Sequence, residues 1–340
     1  ALVAFLGLNL FLSSNFELSF YSVLGFIRYY LLFLALLFCL NEINNFKKTF
    51  SKIILFLIIF VIIDIFIQHF FLVDLFGYEI ASDHGRRLSG PFGPEKVAGS
   101  FISKVFYLSL ISFLLSNFKT KYIIPLILLV ILTIIMTNER SASIMFFSGS
   151  LIFIIFCNLK LWKKTILFII IFLSLFFIFN SNKNLRSHFV DLPVKYFKDN
   201  HHKAHYLTAY EIFKENKIFG SGTKTFRYLC KDKKYENINS KYAKKRCATH
   251  PHNIYLEILS EIGIFGIIIF LVLNFYIASL LIINFIKKKY FQQEILFLFC
   301  NFFILFWPLQ TTGAFFSTWN GIFYWIFFSY FFNLKKKLTT

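Results

Sequence analysis

Three polar clusters interrupt an otherwise apolar chain, and their residue types suit phosphate and proton chemistry. The first is Asp83-His84-Gly85-Arg86-Arg87-Leu88-Ser89-Gly90-Pro91-Phe92-Gly93-Pro94-Glu95. Its glycines and prolines predict an ordered turn or re-entrant loop. The guanidinium groups of Arg86 and Arg87 can fork onto phosphate oxygens, or anchor the loop to lipid headgroups. The second is Asn138-Glu139-Arg140-Ser141-Ala142-Ser143. Arg140 opens a predicted helix there, where free backbone N–H groups and small neighbours let a phosphate come close. The competing reading is an arginine that snorkels to headgroups or pairs with Glu139.

The third cluster runs from Cys247 through His250-Pro251-His252-Asn253 to Glu257, Glu261, Gly263 and Gly266. Pro251 suits a helix start and places His252 in its first turn. Ile254, Ile258, Leu259 and Ile262 share one face, and Glu257 and Glu261 another. That pattern predicts an interfacial amphipathic helix leading into a span after Gly263. His250 and His252 read as ordinary loop histidines, or as partners of His201, His202 and His205 in a zinc site. His-x-His without a fixed third ligand is a weak metal signal, so no metal is assigned.

The elements that must position these clusters are membrane helices. Of 340 residues, 57% are hydrophobic and 51 are Phe, against 14 Gly and 6 Pro, which excludes an ordinary soluble domain. Apolar runs near the ~20 residues of a bilayer-spanning helix recur along the chain, unlike the ~10-residue alternation of a β-barrel. They lie near residues 1–14, 19–40, 53–72, 99–116, 122–137, 142–158, 165–180, 262–286, 294–309 and 314–333. The predicted fold is an all-α polytopic transmembrane bundle of about ten spans with one large extracytoplasmic loop. Its parts are an N-terminal bundle (1–180), the loop (181–252), and a C-terminal interfacial helix with about three spans (253–340). Because the first run is short and Ala1 stands where Met would, an N-terminal piece is expected to be missing.

Charge sets the orientation. Lys47, Lys48, Lys52, Lys119, Lys121, Lys160, Lys163, Lys164, Lys287–Lys289 and Lys335–Lys337 fall in alternate short connections, which the positive-inside rule places in the cytoplasm. The three polar clusters and the segment 181–252 then face outward. That segment carries 16 Lys or Arg against 6 Asp or Glu, tolerable because long loops translocate largely regardless of charge. It is either a solvated lysine-rich face or a field that gathers an anionic substrate. The bias of 29 Lys over 7 Arg accompanies abundant Phe, Ile and Asn, as in AT-rich coding, so the net charge of +19 does not imply a nucleic-acid partner. Cys39, Cys157 and Cys300 lie in apolar runs, whereas Cys230 and Cys247 share the outward loop, where an oxidising compartment favours a disulfide.

His252-Asn253, nine residues, Gly263, two residues and Gly266 is similar to the signature of bacterial O-antigen ligases and of the wider O-antigen ligase/polymerase superfamily. Tyr206-Leu207-Thr208-Ala209-Tyr210-Glu211-Ile212-Phe213 through Gly220-Ser221-Gly222 resembles that family's helix before a Gly-x-Gly turn in the large periplasmic loop. Arg140 and the Arg87 loop match its layout. Two departures stand out. Ile267-Ile268 replaces the usual Thr-Trp, and His202-Lys203 replaces an Arg before the loop helix, with Arg227 as the substitute guanidinium.

The resemblance implies transfer of a glycan from an undecaprenyl-diphosphate carrier to an acceptor hydroxyl at the periplasmic face of the inner membrane. Neither metal nor cofactor is implied, and the chain has no P-loop or Rossmann fingerprint. Arg86, Arg87, Arg140 and Arg227 would stabilise the charge growing on the diphosphate. His252, with His250 as the substitute, would take the acceptor proton. Direct attack would invert the anomeric carbon. The acceptor is lipid A core for a ligase, the growing glycan for a polymerase, or a protein for an O-oligosaccharyltransferase. A lipid-linked sugar flippase is the alternative from another class, but it expects internal repeats and midplane charges in a relay. Arg28, Asp64, His69 and Lys104 form no such relay in sequence, and the polar inventory sits on one side.

Overall fold

The structure is a computed structural model, and it describes residues 2–80, 87–116, 122–181, 183–195, 199–287, 292–308, 310–311 and 313–339. Among these residues it is all-α, apart from one isolated bridge between Val73 and Glu79. In chain order the helices are α1 (Leu2–Asn9), α2 (Phe16–Glu42), α3 (Phe46–Phe71), α4 (Ala98–Ser109), α5 (Ile111–Leu115), α6 (Ile123–Met136), α7 (Arg140–Phe156) and α8 (Leu161–Ser181). Short α9 (Lys183–Arg186) and α10 (Leu192–Lys195) flank one π turn. Then come α11 (His201–Glu215), α12 (Phe226–Leu229), α13 (Ile254–Ile286), α14 (Gln292–Phe306) and α15 (Thr318–Thr339).

Among the described residues, four segments are long and apolar enough to cross a membrane: Phe16–Glu42, Phe46–Phe71, Ala98–Leu115 and Ile254–Ile286. Three more helices, Ile123–Met136, Arg140–Phe156 and Gln292–Phe306, are apolar but shorter. The first apolar run yields α1 and a 3-10 turn that ends at Leu12, because Ser13, Ser14 and Asn15 break it. Helices apolar all round are expected to present side chains to lipid. Phe56, Phe71 and Phe172 accordingly stand 67%, 75% and 69% exposed.

The chain divides into two compact units. One comprises residues 1–42, 196–280 and 306–340. Its α2 and α15 pack along their lengths, with Phe26 against Phe315 (5.7 Å between ring centres), Phe316 (5.4 Å) and Trp325 (5.7 Å). An exposed ion pair, Lys336–Glu42, closes their far ends. The loop region has its own small core of Ala209, Ile212, Phe226, Cys230 and Tyr235. Cys230 and Cys247 are bonded to each other, with Cα atoms 5.2 Å apart, and the buried Arg246 Nε donates to Cys230 O (2.8 Å).

The second unit comprises residues 43–195 and 281–305. Here α3 packs on α4 and α5, and α4 on α6 and α7. Tyr107 donates to Ser150 Oγ (3.0 Å), and Gly149 leaves room for Ile304 of α14. A buried Lys47–Glu294 ion pair joins the starts of α3 and α14. A cavity of about 640 Å³ is lined by Phe153, Cys157, Lys164, Phe285, Gln292 and Phe297. It sits at the far end of α7 from Arg140, 17 residues or ~25 Å away.

Candidate active site

In the first unit, Asn253 builds the histidine site by starting α13. Its Oδ1 accepts from the amides of Tyr255 (3.0 Å) and Leu256 (3.1 Å), while its Nδ2 donates to Pro308 O (2.7 Å). That makes Asn253 the helix N-cap. His252 therefore sits one residue before the cap and not in the first turn as Pro251 suggested, with a left-handed φ of 60°. The carboxamide cap decides the start of the helix over the proline. A non-glycine residue held there costs ~1–3 kcal/mol, sustained by its surroundings.

Those surroundings are histidines. His202 and His205, three apart, share a face of α11 and lie 5.2 and 5.3 Å from the His252 ring, with His250 at 4.2 Å. His201 points elsewhere, against Tyr242. Burial pushes the His252 imidazole down to about 3, and the charges that His250, His202 and His205 would carry push the same way. The ring is therefore a free base at neutral pH. Burial also lowers His205, whose Nε2 lies 3.0 Å from Lys245 O. Since a carbonyl only accepts, His205 Nε2 carries the proton and its buried Nδ1 keeps a lone pair without a hydrogen-bond partner. Thr249 Oγ1 meets His250 Nδ1 at 2.9 Å. Among the described residues no group of three or more His, Cys, Asp or Glu is arranged to hold a metal ion.

The Gly-x-Gly turn and the Gly263 motif form one construction. Gly263 takes φ 70° and ψ −166°, which breaks the helical hydrogen-bond ladder inside α13. The freed carbonyls of Ser260 and Glu261 accept from Ser221 N (3.0 Å) and Gly222 N (2.8 Å), and the freed Ile264 N donates to Lys217 O (2.8 Å). A Cβ at Gly263 would overlap Ile218 O, and one at Gly220 would overlap the backbone of Glu261. Glu257 accepts from Phe315 N (2.6 Å), and Glu261 from Lys224 N (2.6 Å) and Phe226 N (3.3 Å), so the two buried acids clamp two loops. Arg227 stands on the second of these loops, beside Glu261.

The second unit carries the other arginines. Gln68 of α3 fixes the Arg87 loop by accepting from Gly90 N (3.0 Å) and donating to Tyr78 O (3.2 Å), while Asp64 accepts from Leu75 N (2.8 Å). Arg86 lies outside the described residues. Glu139 does not pair with Arg140: its two oxygens accept from Gly99 N (2.6 Å) and Ser100 N (3.1 Å) and cap α4. Burial pushes the Glu139 carboxyl up to about 7, opposed by those amides, Lys104 and Arg87. Arg140 is left half-buried, within electrostatic reach of Arg87 and without a hydrogen bond to any described residue. The structure thus groups Arg87 with Arg140 in one unit, and His250, His252 and Arg227 in the other.

Sequence reasoning weighed His202 and His205 as zinc ligands alone and missed their contact with His252. Their i, i+3 spacing on a predicted helix was the available signal. Residues 125–271 match the family model described as O-Antigen ligase, a segment that contains Arg140, Gly-x-Gly, the disulfide, the histidines and the Gly263 kink. That segment is similar to O-antigen ligases and supports the O-antigen ligase superfamily. No curated protein and no solved structure matches it. The likeness points to glycan transfer of the ligase/polymerase kind, and the apolar helices to a membrane setting.

Proposed function

We propose that the protein transfers a glycan from an undecaprenyl-diphosphate carrier to an acceptor hydroxyl at the periplasmic face of the inner membrane, as an O-antigen ligase does. In this reading the bundle crosses the membrane about ten times and segment 181–252 lies outside. The observation that carries it is His252, a free base beside α13, surrounded by histidines and within the family segment. The acceptor O–H gives its proton to the His252 imidazole as its oxygen bonds to the anomeric carbon. The bond from that carbon to the diphosphate oxygen breaks, and its electron pair leaves with the diphosphate, with inversion. Arg87 and Arg140, joined by Arg86, stabilise that charge, which matters most where water is excluded. Arg227 supplies a further guanidinium. Acid and base help of this kind contributes about 10²–10⁴ in rate.

The test is the lipopolysaccharide gel profile and the lipid-linked glycan pool in a deletion strain complemented by wild type or His252→Ala. The expected result is loss of the long ladder with long glycan retained on undecaprenyl diphosphate. Lipopolysaccharide capped by a single repeat would make the protein a polymerase. Full transfer by His252→Ala would remove the base assignment.

A further inference from the structure

Arg28 is an exposed cation twelve residues inside α2, ~18 Å from its start, where the transfer reading gives it no part. A charge at that depth is costly and calls for a functional partner. Its guanidinium is turned inward: Nη2 donates to Thr318 Oγ1 (2.7 Å) and to Tyr29 OH (2.8 Å). Thr318 begins α15, three residues after Phe315, whose ring packs on Phe26 and whose amide is held by Glu257. The neighbouring loop is bound to α2 and α13. Ser19 Oγ of α2 donates to Thr223 O (3.2 Å), and Glu261 of α13 holds the amides of Lys224 and Phe226.

Lys224 adopts φ 60°, a conformation glycine takes at little cost, yet the position carries a lysine. Its half-buried ammonium is held below the usual range by burial. Arg227 and Arg28 add repulsion, and Glu261 and Glu257 oppose it, so all three cations share one field. The acids do not quench them. Glu257 and Glu261 spend their oxygens on backbone amides, and no ion pair joins either to Arg28, Lys224 or Arg227. Arg227 Nε is buried with no hydrogen-bond partner. Two cations, from α2 and α12, thus act on a third at a left-handed turn, and of the three Arg28 is exposed while Lys224 and Arg227 are half-buried.

We propose that Arg28 and Lys224 join Arg227 in a phosphate-binding site that receives the phosphoryl group of a glycolipid substrate. The proposal rests on the transfer reading and names which side chains meet one of its anionic substrates. The phosphate belongs either to the prenyl diphosphate donor or to a phosphorylated lipid acceptor. Cations on a preformed frame suit a ligand whose oxygens need charge-assisted donors from several directions.

The experiment measures binding of farnesyl diphosphate and of monophosphoryl lipid A to the purified full chain in nanodiscs, for wild type, Lys224→Gly, Lys224→Arg and Arg28→Gln. Lys224→Gly removes the charge while relieving the left-handed backbone, so thermal stability should hold or rise while affinity falls. The expected loss is about tenfold to a hundredfold in Kd for Lys224→Gly and Arg28→Gln, with Lys224→Arg near wild type. Loss confined to farnesyl diphosphate assigns the donor, and loss confined to monophosphoryl lipid A assigns the acceptor. Unchanged affinity for both lipids in Lys224→Gly and Arg28→Gln overturns the site. That outcome leaves the transfer reading standing if His252→Ala still abolishes the lipopolysaccharide ladder. A charge-dependent site in a protein whose deletion leaves that ladder intact would instead sink the transfer reading alone.

Discussion

At the scale of single residues, His252 shows how a histidine is kept as a base. An ordinary imidazole is half protonated near pH 6.5. Burial beside three other histidines holds this one at about 3. The kcat/KM profile for transfer should therefore show no acid limb from His252 between pH 8 and 5, and a limb centred near 6.5 would contradict the site. The same shift acts on stability. Between about 6.5 and 3 the unfolded histidine binds a proton that the folded one refuses, so stability is full above 6.5 and falls as pH drops toward 3. Hydrogen-exchange protection factors across residues 248–256, taken relative to intrinsic rates at each pH, should fall over that range, and the fall should shrink in His252→Asn.

At the scale of elements, the kink in α13 and the Gly-x-Gly turn stand or fall together. Backbone groups freed by Gly263 have no water to satisfy them at membrane depth, and an unpaired group there costs several kcal/mol. They are satisfied by Lys217, Ser221 and Gly222 instead. Gly263→Ala forces a Cβ into Ile218 O, and Gly220→Ala forces one into Glu261. Each should destabilise by at least ~3 kcal/mol, read as an earlier thermal transition in detergent. Glu139→Ala leaves the first amides of α4 uncapped and should cost ~1–2 kcal/mol in the same assay. Breaking the Cys230–Cys247 link opens a loop with a sequence separation of 17, worth about 3 kcal/mol in the chain-entropy picture. Cys247→Ser should lower the transition, and reduction of the wild type should match it.

At the scale of the whole molecule, the proposed mechanism draws its residues from two segments of the chain. Arg87 and Arg140 belong to the segment 43–195, and His252 to the segment 196–280. In complemented deletion cells, Arg140→Gln and His252→Asn should each abolish transfer, and full activity in Arg140→Gln would remove the cations of 43–195 from the mechanism. Topology is testable in the same cells. Reporters fused after residue 160 should read cytoplasmic and those after residue 238 periplasmic, because Lys160, Lys163 and Lys164 anchor the former side.

The helical class was legible from residue order alone, since apolar runs of spanning length need no tertiary partner to be recognised. So were the motif positions, because proline, glycine and Asn-rich breaks act locally. Tertiary structure decided what those motifs do. Pro251 pointed to a helix start at His252, but the cap at Asn253 moved it, because a side-chain hydrogen bond pair to two amides outweighs a local φ preference. Glu139 looked like a partner for Arg140 from one residue away, yet it reaches 40 positions back to Gly99. His202 and His205 met His252 across 50 and 47 residues of loop, and Arg28 met Thr318 across 290. Periodicity reports which face a residue occupies, whereas the partner on that face depends on how distant segments fold back against it.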